Sequence, residues 1–191
     1  MHGLSLERAL KAVEDVRERL LNSTAALERD GVPYAVIGGN AVAVWVAKVD
    51  RDAVRNTVDV DLLIRRNDLS RAAKSLDAIG YDLTEVNGIT VFIERSSPSL
   101  RRGLHIIFAN EKIRPHYANP APDPSQTHWV DDGFRVIDLL PLLIMKLTAF
   151  RDKDRTHLRD MLELNMITPE LDAALPPELR ARLDELRANP Q

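Results

Sequence analysis

Apolar positions in this chain follow helical spacing near both ends and form short, strand-like runs between them. In residues 5–30 they recur every three or four positions, which predicts one helix, or two helices broken near residues 22–23, with Ser5 as the N-cap. The apolar run 34–37 predicts a strand, and the Ala/Val-rich segment 40–48 predicts the helix that follows it.

The rest of the chain continues this alternation of strands and helices. Asn87-Gly88 between two apolar runs is typical of a hairpin turn, and four prolines in residues 115–128 indicate an exposed loop. The remaining predicted elements are strands at 57–64, 81–85, 89–95, 103–108 and 134–137, helices at 69–79 and 155–165, a helix capped by Asp138 that runs to about residue 151, and one or two helices after residue 168. Together they predict an α/β protein with a small mixed sheet flanked by helices and a C-terminal helical segment.

Composition narrows the class of protein. The chain has 45% hydrophobic and 29% charged residues, which is typical of a globular protein, and its net charge of −3 provides no broad basic field for nucleic acid. The absence of cysteine excludes disulfides, thiolate zinc sites and a cysteine nucleophile, and fits a cytoplasmic location. The N-terminal residues lack the apolar core of a signal peptide, and no apolar run is long enough to predict a membrane span.

Two glycines and two aspartates carry the candidate chemistry. Gly38-Gly39 stands between a predicted strand and a predicted helix, where backbone amides can hold phosphate. Asp59 and Asp61 alternate along a predicted strand, so both carboxylates should face one side while Val58 points the other way. Two such carboxylates repel each other unless a cation lies between them, and Mg²⁺ is bound by carboxylates together with substrate phosphates.

With these residues the chain resembles the nucleotidyltransferase superfamily with the polymerase-β-like core. The signature of that superfamily is an apolar residue, Gly-Gly or Gly-Ser, a spacer, and then Asp-x-Asp or Asp-x-Glu. The segment Arg55-Asn56-Thr57-Val58-Asp59-Val60-Asp61 is most similar to the minimal and AbiEii-like members, which often show Arg-x-Thr-x-Asp-x-Asp. The resemblance covers about residues 34–165.

The resemblance implies a reaction and a layout of the chain. A nucleoside monophosphate would pass from an NTP to an acceptor hydroxyl with Mg²⁺ or Mn²⁺, held by Asp59 and Asp61. Residues 1–191 would form one compact unit, with a nucleotidyltransferase-like core at 31–112 and a C-terminal helical segment at 137–188.

Other site residues follow from the same resemblance. Gly38 and Gly39 would contact the β- and γ-phosphates, and Asn40 would either reach phosphate or cap the helix. For Arg55 two roles stay open, an ion pair that orients the aspartates or direct contact with the triphosphate, and Thr57 would flank the acids beside it.

A histidine stands where the superfamily usually has its third acid. The run Leu104-His105-Ile106-Ile107-Phe108 corresponds to a strand that carries this acid in active members. His105 can act as a general base or a metal ligand, but it does not supply negative charge. Glu94 and Glu111 are two candidates to compensate for it.

Lys146 is the candidate triphosphate lysine. It stands in an otherwise apolar helix, where a lysine should either extend to solvent or face an anion. If the helix continues, Phe150, Lys153 and His157 share one stripe with it. The alternative is a solvated face with salt bridges to Asp154 and Asp160, which we favour for Lys153.

Two rival hypotheses follow from His105. The chain is either an active enzyme or a non-catalytic nucleotide-binding or interaction protein with a degenerate site. For an active enzyme the acceptor would be RNA, a protein or a small molecule. A toxin–antitoxin or defence role, with a partner antitoxin, is the biological context that AbiEii-like proteins imply.

Overall fold

Seven strands form one mixed sheet in the computed structural model, which describes residues 6–189. The strands are β1 (Tyr34–Ile37), β2 (Val60–Ile64), β3 (Tyr81–Val86), β4 (Ile89–Glu94), β5 (Leu104–Phe108), β6 (Thr127–Val130) and β7 (Phe134–Ile137). Their order across the sheet is β3-β4-β5-β2-β1-β7-β6. The pairs β2–β5 and β1–β7 are parallel and the other neighbours are antiparallel.

Helices flank this sheet, as the sequence predicts. They are α1 (Leu6–Arg29), α2 (Gly38–Ala47), α3 (Leu69–Asp77), α4 (Leu139–Ala149), α5 (Asp152–Glu163), α6 (Pro169–Ala174) and α7 (Pro177–Ala188). Helix α1 contacts α3, β2 and β7, whereas α2 contacts β1 and β2 and also the C-terminal helices α4 and α5. The predicted α/β class, with a mixed sheet and a C-terminal helical segment, is confirmed.

Helix α1 is continuous, which agrees with the first alternative, one helix, and not with two helices broken near residues 22–23. The hydroxyls of Ser23 and Thr24 donate to the carbonyl of Leu20 one turn earlier, which satisfies both side chains without a break. The predicted N-cap Ser5 lies outside the described residues.

Strand β2 is shorter than predicted, because the backbone before Val60 bonds to side chains instead of to a neighbouring strand. Arg19 Nη2 donates to the Val58 carbonyl at 3.4 Å, and Asn40 Nδ2 donates to the Asp59 carbonyl at 2.8 Å. Val58 thus precedes the strand and is half exposed.

Residues 115–126 form a loop, as their prolines indicate, but this loop is only partly exposed. Tyr117 and Ala121 are buried, and Ala121 exchanges backbone hydrogen bonds with Asn110 and Glu111. The segment ends in β6, which forms a hairpin with β7 and was missed because its residues lack strand-like alternation. By contrast, the turn at Asn87-Gly88 is confirmed, and both residues have the positive φ of a tight hairpin turn.

In the described range, the helices are too short or too polar for any of them to cross a membrane.

Candidate active site

Strand pairing brings Asp61 and His105 side by side. Asp61 on β2 lies in register with His105 on the parallel strand β5, so their side chains share one face of the sheet. His105 Nδ1 is 3.6 Å from Asp61 Oδ1, and its other nitrogen, Nε2, is 3.1 Å from the Leu100 carbonyl. Because a carbonyl only accepts, Nε2 carries a proton, and Nδ1 is the nitrogen that faces Asp61.

The backbone preceding β2 places Asp59 close to Asp61, at the start of this central strand. Its carbonyl accepts a hydrogen bond from Asn40 at the start of α2, and its carboxylate Oδ2 is 4.0 Å from Lys153 Nζ on α5. We call Asp59, Asp61 and His105 the carboxylate edge. Asn40 therefore acts on this edge through the Asp59 backbone.

Two glycines bring the start of α2 against the carboxylate edge. Gly38 has φ +69, and a Cβ built on it would lie 2.0 Å from Asp61 Oδ2. A Cβ on Gly39 would lie 2.8 Å from Thr57 Oγ1. Neither position accommodates a side chain, so Asp61 and Thr57 pack directly on the turn. The amides of the first turn of α2, which have no partner within the helix, thus begin beside the Asp61 carboxylate.

Cationic groups surround the carboxylate edge. The Asp61 carboxylate raises the pKa of His105 above its usual range, against the opposing effect of burial. Asp61 also favours the charged forms of Arg151 and Lys146, so both cations lie within its field. These groups offset the repulsion between Asp59 and Asp61 that the sequence alone predicts.

Lys146 is buried and paired, and the predicted stripe of four side chains does not form. Helix α4 ends at Ala149, where Phe150 adopts a left-handed conformation with φ +50, and α5 begins separately. Lys146 Nζ donates to Asp154 Oδ1 at 3.0 Å, as the salt-bridge alternative expects, but in the interior rather than on a solvated face. Burial lowers the pKa of Lys146, and the charges of Asp154 and Asp61 oppose that shift.

The same carboxylate joins the two helices. Arg151 Nε donates to Asp154 Oδ2 at 2.7 Å, and the Arg151 backbone N–H donates to the same oxygen at 3.3 Å. Burial alone would raise the pKa of Asp154, but Arg151 and Lys146 together lower it below its usual range. A triphosphate role for Lys146 stays a prediction, and the exposed lysine next to the carboxylate edge is Lys153.

Arg55 pairs with neither aspartate of the edge. Its Nε and Nη2 donate to both oxygens of Asp160 on α5, at 2.6 and 2.9 Å. This two-bond geometry ties the loop before β2 to α5, so the expected pair with Asp59 or Asp61 is wrong.

Neither glutamate compensates for His105. Strand alternation places Glu94 on the face of β4 opposite to the residue that pairs with His105, and Glu94 lines a cavity next to α1. Glu111 follows the far end of β5 and forms a two-bond ion pair with Arg66 at 2.6 Å for each bond.

The carboxylate edge fits a hard divalent cation only in part. Within residues 6–189, no group of three or more His, Asp or Glu side chains is arranged to hold a metal ion. Two carboxylates against a helix start nevertheless suit Mg²⁺, which commonly takes one or two carboxylates and completes its shell with water and substrate phosphates.

Comparison with known proteins supports the fold. No family model matches the chain, and no curated protein matches it significantly. Among solved structures, the chain is similar to an antigenic nucleotidyltransferase-like protein from Paracoccidioides brasiliensis, with a TM-score of 0.60 and 16% identity over 93% of this chain and 89% of that one. The fold is nucleotidyltransferase-like.

Two structures of the antibiotic-resistance factor ANT(2'')-Ia also align with this nucleotidyltransferase-like fold. The solution structure aligns over 95% of this chain and 90% of that one, with a TM-score of 0.44 and 12% identity. The crystal structure with adenylyl-2''-tobramycin aligns over 93% and 96%, with a TM-score of 0.42 and 13% identity. The finer resemblance to AbiEii-like proteins stays a prediction.

The site contains Lys153, for which the sequence favoured a solvated salt bridge, and Arg151, which the sequence did not assign to the site. Lys153 faces Asp59, and Arg151 lies in the field of Asp61. The available signal was their position, because Arg151 and Lys153 flank the residue at which α5 begins. Only the docking of α5 beside β2 gives them a role.

Proposed function

We propose that the protein transfers a nucleoside monophosphate from an NTP to an acceptor hydroxyl and releases pyrophosphate. The observation that carries this proposal is the contact between Gly38 and Asp61, which joins a helix start to a carboxylate. A helix start suits phosphate and a carboxylate suits a divalent cation, and a metal-bound triphosphate contains both.

Asp59 and Asp61 would hold Mg²⁺ or Mn²⁺. When bound, such an ion neutralises charge on the triphosphate and orients it for displacement. The two carboxylates are matched to this task because both are partly exposed at the start of the central strand β2.

The start of α2 would bind the β- and γ-phosphates. The amides that follow Gly38 and Gly39 are free to donate, and Asn40 keeps Asp59 close to them. Lys153 and Arg151 supply positive charge near the carboxylate edge, and Lys146 adds to that field from the interior. Positioning and charge neutralisation then account for most of the rate.

His105 would accept the proton of the acceptor hydroxyl. The acceptor oxygen forms a bond to the α-phosphorus, the bond from this phosphorus to the bridging oxygen breaks, and pyrophosphate leaves with that oxygen. The hydroxyl proton passes to His105 Nδ1, since Nε2 is already bonded to the Leu100 carbonyl.

One observation favours a second function, nucleotide binding without transfer. A histidine occupies the place beside Asp61 where a third carboxylate would strengthen metal binding. The acceptor class, whether RNA, protein or small molecule, and a partner antitoxin stay predictions of the resemblance.

Release of pyrophosphate separates these functions. The protein is incubated with each of the four NTPs, Mg²⁺ or Mn²⁺, and separate pools of RNA, protein and aminoglycoside acceptors, next to the Asp59→Asn, Asp61→Asn double variant. Release by the wild-type chain and none by the variant supports transfer. Binding without release in every pool supports the second function, and neither binding nor release contradicts both.

A further inference from the structure

Arg19 is a buried arginine whose described side-chain hydrogen bonds all go to backbone carbonyls. It lies in the middle of α1 and is 8% exposed. Its Nε donates to the Asp15 carbonyl at 3.1 Å, its Nη2 to the Val58 carbonyl at 3.4 Å, and its Nη1 to the Arg102 carbonyl. The guanidinium thus joins three separate points of the backbone.

Two of those carbonyls lie on the segments that lead into the carboxylate edge. Val58 immediately precedes Asp59 at the entrance to β2. Arg102 ends the short helical turn Leu100–Arg102, which leads through Gly103 into β5 and His105. Through one side chain, α1 therefore contacts the entrance of both strands of the site.

The turn Leu100–Arg102 in turn holds the ring of His105. The Leu100 carbonyl is the partner of His105 Nε2, and Gly103 presses the turn against β4, since a Cβ there would lie 2.4 Å from Val91 Cγ2. A shift of this turn moves the Leu100 carbonyl and, with it, the imidazole that faces Asp61.

Only arginine suits this position. A guanidinium offers five donors in a rigid planar fork, whereas a lysine ammonium is a compact point charge that does not span three separated carbonyls. A buried cation contributes little to stability by itself, because an apolar side chain of similar volume often stabilises the fold as well or better. The arrangement of its partners is thus the informative feature of Arg19.

We infer that Arg19 is a positioning residue for the candidate active site, which fixes Asp59 through Val58 and His105 through the turn Leu100–Arg102. The inference rests on the proposed function, because one of its tests measures nucleotide binding. Arg19 acts from the opposite face of the sheet, through the backbone and not through contact with nucleotide or metal.

A neighbouring cavity makes this role testable by chemical rescue. Arg19 and Arg102 line a cavity of about 570 Å³, together with Tyr81 and Glu94. A free guanidinium ion can therefore enter the space that Arg19→Ala creates and bond to the same carbonyls.

The test compares Arg19→Ala and Arg19→Lys with Arg17→Ala, a matched control on the same helix whose exposed side chain pairs with Asp132. Calorimetry measures the affinity for ATP, GTP, CTP and UTP with Mn²⁺. Hydrogen exchange measures the amides of residues 58–60 and 100–105 in the free protein.

We expect both Arg19 variants to bind at least about tenfold more weakly, the loss of one charge-assisted bond. We also expect faster hydrogen exchange in both segments. Guanidinium should restore the NTP affinity of Arg19→Ala, whereas ammonium at the same sub-denaturing concentration should not.

Three outcomes overturn the inference: wild-type affinity in both Arg19 variants, unchanged exchange in the two segments, or weak binding that guanidinium does not restore. Arg19→Lys keeps the charge and is available if Arg19→Ala does not fold. A wild-type chain that binds no NTP refutes the proposed function instead. The exchange comparison between the Arg19 and Arg17 variants then still decides whether Arg19 orders these segments.

Discussion

At the scale of single residues, the contact between Gly38 and Asp61 sets the geometry of the candidate site. The left-handed conformation of Gly38 turns the chain from β1 into α2 within one residue, and the missing side chain leaves room for the Asp61 carboxylate. The Gly38 backbone thus allows the carboxylate to lie directly against the helix start.

Replacing Gly38 with alanine tests this contact. The new Cβ would lie 2.0 Å from Asp61 Oδ2, so the carboxylate must move, and we expect affinity for NTP with Mn²⁺ to fall at least about tenfold. Gly88→Ala is the matched control, because Gly88 has a similar φ of +75 with open space around it. The control should cost about 1–2 kcal/mol of stability and leave binding unchanged. Equal binding by the two variants would contradict the assignment.

The sequence predicted residues whose chemistry depends on local pattern, and it did not predict those placed by tertiary packing. The spacing of the glycines and aspartates was visible because strands and turns impose it locally, and His105 was noticed through the resemblance to the superfamily. Arg19 shows a weaker signal, a charged residue within the buried stripe of α1 between Val16 and Leu20. Two of its three carbonyl partners lie 39 and 83 residues away, and no pattern in α1 predicts them.

At the scale of elements, the junction between α4 and α5 depends on one buried carboxylate. Asp154 is 1% exposed and bonds both Lys146 on α4 and Arg151 at the start of α5. It aligns α5, which carries Lys153 to Asp59 and Asp160 to Arg55.

Removing the two partners of this buried pair should have unequal effects. Asp154→Asn leaves the Lys146 ammonium buried without a counter-charge, and we expect a loss of about 3–5 kcal/mol in the free energy of unfolding. Lys146→Met leaves Asp154 paired with Arg151 and should cost about 1 kcal/mol. Urea denaturation of both variants measures the difference. A larger loss in Lys146→Met than in Asp154→Asn would show that this carboxylate does not hold the junction.

Two strands differ from the prediction, one in where it begins and one in being missed. Strand β2 begins three residues later than predicted because Arg19 and Asn40 bond to the carbonyls of Val58 and Asp59. Strand β6 was missed because the exposed His128 and Trp129 give it no apolar alternation, and its pairing with β7 defines it instead. The first error arises from contacts between residues that are distant in sequence, and the second from a hairpin strand whose own sequence lacks the apolar alternation.

At the scale of the whole molecule, stability should depend on a half-buried histidine of α5, His157. Burial, which has the largest effect, and then the Lys146 charge lower the pKa of His157 to about 4. The folded chain therefore keeps His157 neutral while the unfolded chain takes up a proton, so stability falls as pH drops from about 6.5 toward 4.

We expect the free energy of unfolding to fall by about 1 kcal/mol because of His157 when the pH is lowered from 7.0 to 5.5. The measurement is urea denaturation at both pH values for the wild-type chain and His157→Asn. Because the variant retains His105, whose pKa is shifted in the opposite direction, the difference between the two chains isolates His157. An equal loss in both chains would mean that His157 titrates alike in the folded and unfolded states.

The central claim is that the carboxylate edge and the start of α2 together bind a metal-bound nucleoside triphosphate. Calorimetric titration with each of the four NTPs, with and without Mg²⁺ or Mn²⁺, tests it most directly, with the Asp59→Ala, Asp61→Ala double variant as the control. We predict metal-dependent binding of at least one NTP that the double variant abolishes. Binding of no NTP, or binding that survives loss of both aspartates, would contradict the claim.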